Sequence, residues 1–288
     1  MPRDACRLCS STKLRLHFEV RGSTLDRCDA CGFVQVREQP SADELRALYG
    51  AGYFARGKYD EEFAQQREGQ RRLALLARAG VPAGGRVLEA GCATGDFLAL
   101  ASERYEMWGL DVSAHATDAA RAKNPEAARR IFTGFVEDQT FAPDFFDAIV
   151  MWDVIEHLWD PKAVLRQLVR HLRSGGALLL STPDIGAATA RLLGRRWAFM
   201  TPPEHLGFFN QRSLTFLLEG ELGLEVSRST AKGKWAKVGF LVYKLQRVFP
   251  DIIPRRLSER VQKSAVAAGA VYVPTADVRY VTARKREG

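Results

Sequence analysis

Chemistry in this 288-residue chain can reside in three places: four paired cysteines, two Glu-His pairs and a turn bracketed by glycines. Cys6-Arg7-Leu8-Cys9 and Cys28-Asp29-Ala30-Cys31 are C-x-x-C knuckles separated by 18 residues. Two tight turns of this kind each present two thiolates to one tetrahedral ion, the spacing of a zinc ribbon. Four Cys ligands leave no open coordination position, so the ion, Zn2+, would be structural. A segment this short has too little core to fold unaided, and metal binding supplies the missing free energy. Four free thiols are the competing reading, and nothing nearby marks either pair for redox work.

The turn is Arg86-Val87-Leu88-Glu89-Ala90-Gly91-Cys92-Ala93-Thr94-Gly95-Asp96. Its G-x-x-x-G is not the dinucleotide pattern G-x-G-x-x-G, and no Lys follows to make a phosphate loop. Glycines here would let the backbone pass close to a ligand. Met107-Trp108-Gly109-Leu110-Asp111-Val112 predicts a second strand ending in an acid. A carboxylate at that edge of a parallel sheet can accept hydrogen bonds from ribose hydroxyls. Turn and acid together describe a site for an adenosine-containing ligand.

The first Glu-His pair lies in Asp153-Val154-Ile155-Glu156-His157, where a helical turn would bring His157 toward Asp153. His157 is then either a base or a cap on this turn. The second lies in Thr201-Pro202-Pro203-Glu204-His205-Leu206-Gly207-Phe208-Phe209-Asn210. Here Glu204-His205 is either acid-base machinery or a brace for the loop. Trp197, Phe199, Phe208 and Phe209 would suit a sugar-stacking wall or the core of a lid.

Strand and helix signals alternate from residue 86 onward: 86–91, 96–104, 107–112, 114–122, 131–136, 147–152, 161–173 and 177–182. Such alternation predicts an α/β fold with a parallel, doubly wound sheet. Residues 224–230 and 278–284 predict two further strands. The expected organisation is a zinc-ribbon module over 1–38, with a hairpin at 14–20 and 23–27, and a helical linker over 39–82. A larger domain follows over 83–288, with insertions at 184–211 and 232–274. In the linker, Ser41 and Glu44 have capping-box spacing, Tyr49 to Phe54 read as an aromatic loop, and a helix is expected over 59–79.

V-L-E-A-G-C-A-T-G-D-F-L followed by W-G-L-D-V-S resembles the class I S-adenosylmethionine (SAM) methyltransferases, over about residues 60 to 285. The resemblance implies a Rossmann-like sheet of seven strands, the last two forming an antiparallel hairpin at its edge. It implies SAM as cofactor, with Glu89, Gly91 and Gly95 at the methionine end and Cys92 within the turn. Asp111 would take the ribose, Val112 would lie beside the adenine, Phe135 would wall the ring, and Asp153 would face the cleft. Ala93 stands where that family usually has a second glycine. P-P-E-H-L-x-F-F-N resembles a signature of bacterial sugar and secondary-metabolite methyltransferases, some with a four-Cys N-terminal zinc module. It implies His205 as general base for the acceptor, with Glu204 polarising it or binding the acceptor. This chain lacks the large C-terminal domain of the sugar C-methyltransferases, which moves the expectation from a carbon to a hydroxyl of a sugar, glycan precursor or natural-product intermediate.

The composition, 46% hydrophobic and 26% charged, is that of a soluble globular protein. No apolar run approaches the ~20 residues that span a bilayer, and no signal-peptide segment opens the chain, so the cytoplasm is the expected location. The net charge of +8 is concentrated after residue 227, where 14 Lys and Arg face 4 Asp and Glu. This basic fifth would suit an anionic or lipid-linked acceptor, or is a solvated face. The apolar helix expected at 240–249 could lie on a membrane surface or pack on its own domain. An rRNA methyltransferase would also explain the charge. Against nucleic acid stand the few aromatics of the Cys-rich module and the sequence Met151-Trp152-Asp153-Val154, which is no amine-methylation motif. An inactive SAM-binding scaffold is the non-enzyme alternative, opposed by the intact Gly91, Gly95, Asp111 and His205.

Overall fold

The computed structural model describes residues 4–41, 44, 62–248 and 251–287. At the centre of the molecule lies β4, Arg86–Ala90, whose residues from Val87 to Ala90 are all buried. A strand covered on both faces reads as an unbroken apolar run, which is why the motif is so compact in the sequence. It pairs in parallel with β5, Glu106–Asp111, on one side and with β7, Phe146–Trp152, on the other. β6, Ile131–Thr133, continues the parallel sheet beyond β5, and β8, Leu172–Pro183, continues it beyond β7. The last two strands, β10 (Glu225–Lys237) and β11 (Ala270–Arg284), pair antiparallel, and β11 runs antiparallel to β8. The order β10-β11-β8-β7-β4-β5-β6 is the seven-stranded sheet with an antiparallel edge hairpin expected from the sequence.

Successive side chains point to opposite faces of the sheet. Leu88, Ala90, Leu110 and Ile149 face the helix Pro161–His171 through Leu165 and Leu168. Val87, Met107, Ala148 and Val150 share the opposite cluster with Leu76 of the helix Glu62–Arg78 and Leu98 of the helix Asp96–Ser102. The first cluster also runs into the N-terminal module, taking in Cys6, Leu8, Cys28 and Phe33.

The N-terminal module, expected over 1–38, is joined to the larger domain by strand pairing. Its hairpin, β1 (Leu14–Val20) with β2 (Ser23–Cys28), forms as anticipated. A third strand, β3 (Val34–Val36), then pairs with β9 (Gly207–Phe208), which comes from the 184–211 insertion. The boundary is therefore bridged by backbone hydrogen bonds.

Other elements also shift from their expected limits. The third parallel strand stops at Thr133, where Gly134 takes φ +140, and a single 3-10 turn follows at Val136–Asp138. β8 begins at Leu172, five residues early, because the chain between Leu172 and Ala177 forms an irregularity inside the strand rather than ending it. Phe146 pairs with Leu172 and Ala148 with Ala177, and Gly175 between them has φ +70. The 232–274 insertion loses residues at both ends to the β10–β11 hairpin. What remains includes the helices Val238–Val248 and Arg255–Gln262. Ser41 and Glu44 make the reciprocal capping hydrogen bonds the sequence predicts. The aromatic stretch Tyr49 to Phe54 and residues 59–61 of the linker helix lie outside the described residues.

Candidate active site

The turn after β4 holds three left-handed residues in five, Gly91 at φ +82, Ala93 at +45 and Gly95 at +76. Ala93 adopts a conformation that disfavours a Cβ, so the turn survives the replacement of a glycine at the expense of local strain. The Asp111 carboxylate ties this turn to the end of β5. Its Oδ2 accepts the Ala93 N–H at 2.9 Å and its Oδ1 the Ser113 N–H at 2.9 Å. Burial raises the Asp111 carboxyl while these amide bonds pull against the rise.

Protein neighbours by themselves already exclude a side chain at both glycines. A Cβ on Gly91 would lie 2.4 Å from Val154 Cγ2. One on Gly95 would lie 2.7 Å from Asn124 Nδ2 and 2.9 Å from Ala120 Cβ, where two helices approach closely. Cys92 is buried beneath β5, its Sγ 3.0 Å from where a Cβ on Gly109 would stand, and burial pushes its thiol up.

Glu89 is the feature of the turn that points to a ligand. It is 3% exposed, and its Oε2 has no hydrogen-bond partner among the described residues. Burial pushes its carboxyl up to about 8, against the pull of the Arg72 guanidinium. A buried carboxylate oxygen lacking a partner costs free energy unless a donor arrives to satisfy it. Val112 and Phe135 leave large apolar surfaces open, at 45% and 62% exposure, so Phe135 is not core. Asp153, at φ +57 after β7, accepts from Arg72 Nη2 at 3.0 Å and from Ser181 Oγ at 3.1 Å.

The two loops that carry the Glu-His pairs meet. The rings of His157 and His205 stand edge to face with centroids 4.9 Å apart. His157 Nδ1 donates to the Glu204 carbonyl at 2.8 Å, and His205 Nδ1 donates to the Phe199 carbonyl at 2.9 Å. A carbonyl can only accept, so Nδ1 carries a hydrogen in each ring, and a ring in its neutral form would hold its lone pair on Nε2. The carboxylate grouped with both rings is Glu156, with ligand-capable atoms of all three residues within 4.8 Å of one another. Glu156 Oε2 accepts from Thr182 Oγ1 at 2.9 Å. Glu204, expected to polarise His205 or bind the acceptor, meets His157 through its main-chain carbonyl. Trp197, Phe208 and Phe209 are buried, with Trp197 Nε1 donating to Asp277, so they are lid core and not a sugar-stacking wall.

A family model described as a methyltransferase domain matches residues 61–228. The chain belongs to the methyltransferase-domain family. A malonyl-[acyl-carrier protein] O-methyltransferase of Serratia marcescens is 31% identical over 166 residues, which cover 57% of this chain and 62% of that one. A ubiquinone biosynthesis O-methyltransferase of Idiomarina loihiensis is 30% identical over 103 residues, 34% of this chain and 42% of that one. The chain thus spans less than two thirds of either relative. Among solved structures, magnesium protoporphyrin IX methyltransferase of Synechocystis PCC 6803, with bound SAH, shares the fold at TM-score 0.56 and 16% identity. That likeness covers 85% of this chain and 100% of that one.

Beside the methyltransferase domain, the four cysteines form one cluster, their Sγ atoms all within 4.8 Å of one another. Cys6 and Cys31 are 3.6 Å apart, Cys9 and Cys28 3.5 Å. A tetrahedral ion with bonds of about 2.3 Å needs thiolates roughly 3.8 Å apart, so the donors fit zinc. The knuckles repeat one geometry. Ser10 N–H donates to the Cys6 carbonyl and Gly32 N–H to the Cys28 carbonyl, both at 2.8 Å, with φ +59 and +79 at the donors. The contact with Cys31 lowers the Cys6 thiol below its ordinary value.

Glu89 makes the stability of the ligand-free methyltransferase domain pH-dependent. Between its ordinary carboxylate value and about 8, the folded protein keeps a proton that the unfolded chain releases. Stability therefore falls as pH rises through that window, by at most about 1.4 kcal/mol per unit. Glu89→Gln should flatten this slope in denaturant titrations at a series of pH values. An unchanged slope in the variant rejects a buried, protonated Glu89.

Proposed function

We propose that this chain is a SAM-dependent methyltransferase acting on a hydroxyl of a small molecule, a sugar or a glycan precursor, with carbon as the less favoured acceptor atom. The observation that carries the reading is the orphaned Glu89 carboxylate beside the Asp111 turn, at the same sheet edge as a carboxylate-backed pair of imidazoles. When bound, SAM supplies a methyl group already activated by its sulfonium leaving group. Glu89 would accept from the amino-acid end, Asp111 would receive the ribose hydroxyls, and Val112 and Phe135 would flank the adenine. His205 offers its Nε2 lone pair to the acceptor's proton, and Glu156 steadies the charge the ring then gains. Both curated relatives are named as O-methyltransferases, which supports oxygen as the acceptor atom.

Zn2+ in the Cys6, Cys9, Cys28 and Cys31 cluster is part of this proposal, as a structural ion. So is a cytoplasmic setting, supported by thiols spaced for metal. Among the described residues no helix is long and apolar enough to cross a membrane. The 232–274 insertion exposes Phe240, Ile252 and Leu257 near Arg255 and Arg256, which supports an anionic or lipid-linked acceptor.

The test is donor binding. Calorimetry should show one site for SAM and for its demethylated product, SAH, and Asp111→Ala should weaken both by about 1.5–3 kcal/mol. The same substitution releases the Ala93 and Ser113 amides, so the melting temperature is read alongside. Unaltered dissociation constants in a folded variant remove Asp111 from the donor site, and failure of the unaltered protein to bind either compound removes the whole reading.

A further inference from the structure

Arg7 lies between the two cysteines of the first knuckle, yet its side chain leaves the module and is 5% exposed. Its guanidinium forks. Nη1 donates to the Trp159 carbonyl at 2.7 Å, and Nη2 donates to the Leu206 carbonyl at 2.5 Å. The same plane lies over the Trp159 ring, 3.8 Å from its centroid. Trp159 follows His157 in the loop after β7, and Leu206 follows His205 in the loop before β9. One planar group therefore ties together the two loops whose imidazoles meet.

The peptides around His205 have few degrees of freedom left. His205 N–H donates to the Thr201 carbonyl at 3.1 Å, and Leu206 N–H to the Glu156 carbonyl at 2.8 Å. The Leu206 carbonyl receives Val36 N–H at 3.0 Å as well as Arg7. Of these contacts only the Arg7 fork reaches both loops from outside them. An ammonium cannot reproduce two parallel, coplanar donations together with a stacked face.

We propose that Arg7 is a positioning residue for the acceptor site, its fork holding the His157 and His205 loops so that the two imidazoles keep their contact and their Nδ1–H tautomers. This rests on His205 as the acceptor base. The metal knuckle thereby acts on the methyltransferase site through Arg7, while its thiolates serve only the ion.

The test is nitrogen-resolved NMR of the histidine rings in the metal-loaded full chain, with SAH binding by calorimetry as the control for the donor site. Unaltered protein should show both rings as the Nδ1–H form. Arg7→Lys should move His157 and His205 toward mixed tautomers and leave the SAH dissociation constant within twofold. Arg15→Lys, at an exposed ion pair in the same module, should move neither. Trp159→Leu keeps both carbonyls and removes the stacking face, and should give a smaller shift of the same kind. Unshifted rings in a folded Arg7→Lys protein overturn the proposal. If that variant does not fold, unshifted rings in Trp159→Leu overturn it instead. If SAH does not bind the unaltered protein, the donor reading fails, and the ring shifts still judge the clamp.

Discussion

Stripping the metal from the four-cysteine cluster should unfold the N-terminal module and release the His205 loop, while leaving the donor site able to bind SAH. The module's own apolar core is small, with Leu8, Leu25, Phe33, Val34 and Val36 as its main buried side chains. Structural zinc contributes on the order of 10 kcal/mol or more to folding of comparable small modules, more than such a core supplies. Without the ion, four thiols that approach within 4.8 Å lose the charge that holds them together. The loss then spreads along specific bonds. β9 loses its partner β3, Asn210 Nδ2 loses the Gly32 carbonyl, and Arg212 Nη2 loses the Ala30 carbonyl. β4 and β5 pair with none of these segments, so the Asp111 turn should persist. Elemental analysis should find one zinc per chain. Hydrogen exchange after chelation, and in Cys28→Ser, should show fast amides at Val36 and Leu206. Protection retained at those amides in metal-free protein would exclude a structural role for the ion.

The sequence made the donor half of the site legible because that half is local. Glu89, Gly91, Gly95 and Asp111 lie on two neighbouring strands and one turn, and the apolar runs that bury those strands are the signal that marks the turn. The knuckles were equally readable, since each closes on itself through a single backbone hydrogen bond. The proposed acceptor half is assembled from three distant segments, and local patterns do not carry such pairing. Glu156 stood next to His157 in plain view, but only the fold brings it to His205. Its partner Thr182 lies at the far end of β8, and nothing in S-T-P marks it. β9 is two residues long, too short for any alternation to announce it. The close approach of Val154 to Gly91 comes from another strand's loop, so no local pattern announces it. A strand that ends at Thr133 leaves Phe135 in solvent.

His205→Ala should lower turnover by about 10²–10⁴-fold while SAH affinity stays within twofold. The donor-side groups Glu89 and Asp111 hang on β4 and β5, and His205 is held by the Phe199 carbonyl and the β3–β9 pairing. Removing its ring therefore takes away a proton acceptor without touching the donor's contacts. Methyl transfer to a hydroxyl leaves a proton that must go to a base, and the Nδ1–H donation to Phe199 assigns the lone pair to Nε2. Glu156 is the group positioned to stabilise the imidazolium, so Glu156→Gln should cost less than His205→Ala and should move the acid limb of the pH–rate profile to lower pH, because loss of a nearby negative charge makes the ring less basic. Rates of SAH formation with a panel of hydroxylated acceptors, measured across pH for both variants, decide the matter. A His205→Ala protein that keeps its turnover, or an acid limb that stays in place in Glu156→Gln, removes the imidazole from the proton's path.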